Sequence, residues 1–138
     1  MVSTSGSRLL PLEAVRELRE LLLPHTTVLT PNVPEALLLL SDAGLPAEAP
    51  RNAEDLIAVA KAVQSLGPQY VLLKGGHLPL TKDGDAARAP AERALIIDIL
   101  YGDGIATRIE SAYQNSRNTH GTGCSLACES TMLRSYKI

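Results

Sequence analysis

With 138 residues, the chain is long enough for one domain and too short for two of ordinary size, so a single core is expected. A composition of 45% hydrophobic and 20% charged residues with net charge -2 suits a globular protein and offers no electrostatic pull towards nucleic acid or acidic membranes. No apolar run approaches the roughly 20 residues that cross a bilayer, and the start "MVSTSGSRLL" lacks a signal-peptide core, so a cytoplasmic chain without nucleic-acid or membrane partners is expected.

From Leu12 to Leu23, the apolar Ala14, Val15, Leu18, Leu21 and Leu22 recur at helical spacing between charged residues, which predicts an amphipathic helix ended near Pro24. "TTVLT" (Thr26 to Thr30) is a short β-branched run that breaks at Pro31. The apolar stretch from Ala36 to Leu40 then reads as a helix, with Asn32 or Val33 near its cap and Pro34 in its first turn. Gly44 to Arg51 is a loop, and Asn52 caps a second amphipathic helix that runs through Leu66.

"YVLLK" (Tyr70 to Lys74) is a continuous apolar strand ending in Gly75, Gly76 and His77, as a buried parallel strand would. The polar, Ala/Pro-rich residues Leu78 to Arg93 predict a flexible flap, after which "ALIIDILY" and "IATRIE" flank Gly102, Asp103 and Gly104 as a hairpin near 95–110. Two helix-then-strand units predict an α/β fold with a mainly parallel sheet flanked by helices. With no Phe and no Trp in the chain, its core rests almost wholly on Leu, Val, Ile and Ala.

The densest chemistry lies in "NTHGTGCSLA", Asn118 to Ala127, where Gly121 to Gly123 open a segment, Cys124 to Leu133, of helical character. Backbone N–H groups at a helix start lack intrahelical partners and carry partial positive charge, and glycines let an anion approach them closely. Cys124 falls at that start, where a thiol pKa drops and the group becomes a candidate base or nucleophile; the alternative is a small buried hydrophobe. His120, Cys124 and Cys128 recur every fourth residue, but three ligands without a fourth make a poor metal site, and the two cysteines are read as free thiols.

Lys74 at a strand end could reach a phosphate, and Glu35 with Asn32, just past the preceding strand, could hold Mg2+ directly or through water. Taken singly, an ordinary exposed lysine and a helix-start glutamate are the better explanations of these residues. Together, an acid, a lysine and an amide cradle at strand and loop ends of one sheet are the parts that phosphoryl transfer needs.

At "STSGSRLL", "LLPHTTVLTPNVPEALLLL", "YVLLKGGH", "IIDILYGDG" and "RNTHGTGCSLA" the chain resembles the hydroxymethylpyrimidine and phosphomethylpyrimidine kinases of thiamine biosynthesis, in the ribokinase-like fold. The stretches follow the family's order and cover most of Ser3 to Ala127. The resemblance implies ATP and Mg2+ as cofactors and a hydroxymethylpyrimidine, then its monophosphate, as acceptor. It also implies an anion hole from the amides of Gly121, Thr122, Gly123 and Cys124, with Cys124 as catalytic base. Lys74, Asn118 and Thr119 take the nucleotide, and Asn32 with Glu35 matches an N-x-x-E element that organises Mg2+ and phosphate.

The resemblance is to part of the family's chain. The family's preceding half, which supplies most of the pyrimidine pocket, and the helices after "GTGCSLA" have no counterpart here, and residues 128–138 read as a tail without family match. The expectation is thus a single partial ribokinase-like domain over 1–138, a fragment with an unpaired sheet edge that favours association or a homo-oligomer. Two other readings remain open: a kinase for a related vitamin such as pyridoxal, and a noncatalytic remnant that binds nucleotide or a partner.

Overall fold

The structure, a computed structural model, describes residues 11–76, 78–81, 83 and 85–113. Its four strands are β1 (Val28–Leu29), β2 (Tyr70–Leu73), β3 (Leu95–Gly102) and β4 (Ile105–Ala112), ordered β1-β2-β3-β4 across one sheet. Three α-helices accompany them: α1 (Leu12–Glu17), α2 (Val33–Asp42) and α3 (Ala53–Gln64).

The pairing of β1 with β2 is parallel, with α2 and α3 on the crossover between them, as the two helix-then-strand units require. The pairings of β2 with β3 and of β3 with β4 are antiparallel, so among the described strands the sheet is mixed rather than mainly parallel. For β3 and β4 the physical reason is the tight turn: Asp103 (φ 53°) and Gly104 (φ 74°) give the two left-handed residues of a type I′ hairpin, which joins antiparallel strands. This hairpin stands where the sequence predicts it.

Alternation along β2 and β3 buries Val71, Leu73, Ile97 and Ile99 on one face, where Leu56, Ala60 and Val63 of α3 and Ala36 and Leu40 of α2 close the core. Each of these two helices starts on an asparagine. Asn32 Oδ1 accepts the Glu35 N–H at 2.8 Å, and Asn52 Oδ1 accepts the Asp55 N–H at 2.8 Å.

The predicted helix from Leu12 to Leu23 is not uniform. It is α-helical to Glu17, widens into a π-helical turn at Leu18–Leu22 and tightens into a 3-10 turn at Leu23–His25. Val15 and Leu23 pack on Leu39 of α2, and Arg19 Nε donates to Asp42 Oδ2 at 2.8 Å, a bond that raises the guanidinium pKa above its ordinary value. Leu21 and Leu22 remain 70% and 58% exposed, on a face that no described residue covers.

The predicted flap is anchored instead of loose. Leu80 is fully buried, exchanges backbone hydrogen bonds with Leu95 at 2.8 and 3.0 Å, and bridges to Ala86, while Ala86 N–H donates to Arg51 O at 2.8 Å.

Candidate functional site

Two strand ends come together where the sequence places its described candidates. The parallel register that pairs Val28 with Tyr70 and Leu29 with Val71 continues across Pro31 to pair Asn32 with Lys74, and the Lys74 N–H donates to Pro31 O at 2.8 Å. Asn32 and Lys74 therefore stand side by side at the carboxyl ends of β1 and β2, the edge where α/β proteins hold their ligands.

Asn32 is also the N-cap of α2, and its cap is reciprocal: the Asn32 N–H donates to Glu35 Oε2 at 3.0 Å while Asn32 Oδ1 accepts from the Glu35 amide. This capping box fixes the carboxylate at the helix start beside the strand ends. The N-x-x-E element thus closes a capping box, which agrees with the cap placement of Asn32 and the helix-start reading of Glu35 offered beside the metal and phosphate one. Among the described residues, no cluster of three His, Cys, Asp or Glu side chains could enclose a metal by itself.

Beyond Lys74 the chain turns at Gly75, which is buried against β3. A Cβ on Gly75 would stand 1.9 Å from Ile97 O, so only glycine fits there. The Gly75 N–H donates to Asp98 Oδ1 at 2.8 Å. Asp98, which supports the turn after Lys74, is marked in the sequence only by its lone charge inside the apolar run "LIIDILY". The other candidates, Asn118, Thr119, Gly121, Thr122, Gly123 and Cys124, with His120 and Cys128, lie outside the described residues.

The family profile described as phosphomethylpyrimidine kinase matches residues 1–133, past the Ala127 at which the quoted motifs end. The chain belongs to this family. The hydroxymethylpyrimidine/phosphomethylpyrimidine kinase of Salmonella typhimurium is 35% identical over 97% of this chain and 44% of its own length. That of Bacillus subtilis is 34% identical over 95% of this chain and 42% of its own length, so the chain spans less than half of these curated relatives.

Among solved structures, phosphomethylpyrimidine kinase from Clostridium difficile matches with a TM-score of 0.58 at 36% identity, over 80% of this chain and 39% of that one. Bacillus subtilis pyridoxal kinase, solved as an ADP complex, matches with a TM-score of 0.65 at 32% identity, over 86% of this chain and 40% of that one. The fold of this chain is accordingly ribokinase-like. Among the described residues, no helix is long and apolar enough to cross a membrane.

Proposed function

We propose that this chain supplies the nucleotide side of an ATP-dependent phosphotransferase acting on hydroxymethylpyrimidine and then on its monophosphate, in the cytoplasm, for thiamine biosynthesis. The observation that carries the reading is the Asn32–Lys74 bridge, which seats a capped carboxylate and a lysine at adjacent strand ends in a member of this family.

In this reading the Lys74 ammonium clamps ATP phosphate oxygens, with Asn118 and Thr119 on the nucleotide, and the amides of Gly121, Thr122, Gly123 and Cys124 receive the charge of the transferring phosphoryl group. Asn32 and Glu35 offer the hard oxygen donors that Mg2+ takes, and since both work in the capping box, they suit an ion held largely through its water. Bound there, Mg2+ would neutralise charge on the phosphate oxygens. The acceptor oxygen attacks the γ-phosphorus, its proton passes to the Cys124 thiolate, and the bridging P–O bond breaks with its electron pair leaving on ADP.

The test is ADP release by the purified chain with Mg-ATP and hydroxymethylpyrimidine, beside its Cys124→Ala variant. Turnover that falls roughly 100-fold or more in the variant supports the assignment. Equal rates in both chains reject Cys124 as the base. The similarity to a pyridoxal kinase at 32% identity favours a second reading, phosphorylation of pyridoxal, and competition between the two acceptors separates them. ATP binding by a folded chain without turnover on either acceptor indicates the noncatalytic reading instead.

A further inference from the structure

β4 is an edge strand with all eight residues exposed, and no described residue pairs with its outer side. The hairpin determines which of its backbone groups face outward. A two-residue type I′ turn closes on a hydrogen-bonded pair, here Gly102 with Ile105, and bonded pairs then alternate along the ladder. The Tyr113 N–H, which donates to Ala94 O at 2.9 Å, falls in the same alternation. The N–H and C=O groups of Ala106, Arg108, Glu110 and Ala112 therefore point away from β3.

We propose that a second copy of this chain pairs with that edge, antiparallel, about a two-fold axis through Ile109. In this register Arg108 of each copy lies opposite Glu110 of the other, and Ala106 opposite Ala112, and every one of these residues directs its backbone groups outward. Each pair can thus exchange two backbone hydrogen bonds.

On the other face, Ile109, 46% exposed, meets its own symmetry mate, with Thr107 opposite Ser111 and Ile105, 66% exposed, opposite Tyr113. Ile109 forms a pair without backbone bonds, where opposing side chains come closest.

Charge selects this register over its neighbours. Moving the axis to Arg108 sets two guanidinium groups opposite each other, and moving it to Glu110 sets two carboxylates opposite each other, both unfavourable in cross-strand pairs. Glu110 makes no salt bridge among the described residues. Arg108 pairs with Glu54 of α3 in its own chain, which holds the guanidinium over the sheet face where Glu110 of the second copy arrives. Its five N–H donors serve both carboxylates. An interface of this kind is isologous, as a closed dimer requires.

Sedimentation velocity of the full chain from about 10 µM to about 1 mM tests the proposal, since a small edge-to-edge interface gives a weak dimer. The expected result is a monomer–dimer equilibrium. Glu110→Arg, which leaves the Arg108–Glu54 pair intact, and Arg108→Glu should each raise the dimer Kd roughly tenfold or more, with far-UV circular dichroism unchanged. Arg108→Glu combined with Glu110→Arg and Glu54→Arg, which keeps an opposite charge beside residue 108 within the chain, should restore it to within about threefold, because the swapped charges again face their opposites. A chain that stays monomeric, a chain that forms only larger aggregates, a dimer that neither single reversal weakens, or a triple variant that does not recover overturns the proposal.

Discussion

The carboxylate of Asp98, inside β3, accepts the backbone N–H of Gly75 at 2.8 Å and so holds the turn that follows Lys74 against the sheet. Gly75 is pressed onto the neighbouring Ile97 carbonyl, and the contact leaves no room for a side chain. Gly75→Ala should therefore destabilise the fold by about 2–3 kcal/mol, because the atom that must give way is backbone of a central strand. Urea unfolding monitored by circular dichroism measures this directly.

Asp98 itself can be dissected by two replacements. Asp98→Ala leaves the Gly75 N–H without its acceptor and should cost about 1–2 kcal/mol, whereas Asp98→Asn keeps a carbonyl oxygen in place and should cost less than half of that. If both variants lose the same stability, the carboxylate oxygen is not what holds the turn.

Much of this architecture is legible in the residues themselves. Asn32 and Asn52 before apolar periodic runs mark two helix starts, and the Asp-Gly pair between alternating strands marks the hairpin, because caps and turns are decided by local chemistry. Leu21 and Leu22 show the limit. Periodicity says that they share a face with Leu18, but whether a face is covered depends on chain that packs from elsewhere. Leu80 fails for the opposite reason: two leucines, Leu78 and Leu80, in a polar, Ala/Pro-rich stretch are too few to set a period, yet Leu80 is fully buried and exchanges long-range backbone bonds with Leu95. The site was half legible, since Asn32, Glu35 and Lys74 stand in recognisable motifs while their adjacency arises from the parallel register of β1 and β2.

The hairpin turn gives a prediction about conformation. Asp103 has a φ of 53°, and its carboxylate Oδ2 accepts the Tyr70 hydroxyl at 2.6 Å. The Tyr70 ring covers Gly102, where an added Cβ would come within 2.1 Å of Cδ1. Asp103→Asn tolerates the left-handed backbone and should lie within about 0.5 kcal/mol of the parent, while the β-branched Asp103→Val should lose about 2 kcal/mol. Thermal unfolding of the two variants ranks them, and equal melting temperatures would contradict the turn assignment.

Capping and cation binding at Glu35 separate through one conservative change. Glu35→Gln retains a side-chain oxygen for the Asn32 N–H, so the capping box persists and stability should move by less than about 0.5 kcal/mol. Asn32→Ala removes the acceptor for the Glu35 amide and should cost about 1 kcal/mol. If the carboxylate charge also serves Mg2+, Glu35→Gln should weaken Mg-dependent ATP binding several-fold without shifting the unfolding midpoint. Titration calorimetry with and without Mg2+ reads that difference, and unchanged affinity would confine Glu35 to its capping role.

Lys74 contributes to the fold through its backbone, whose N–H bonds to Pro31 O, and the bridge to Asn32 survives any non-proline replacement. Lys74→Met keeps much of the aliphatic stem and removes only the ammonium, so folding stability should stay within about 0.5 kcal/mol of the parent. ATP affinity should fall roughly tenfold, the loss expected when one charge-assisted contact of about 1.5 kcal/mol to a phosphate disappears. The loss should shrink as salt rises, because a partly exposed ion contact is screened. A loss of affinity that is the same at low and high salt would mean that Lys74 acts through packing at the strand end and not through its charge.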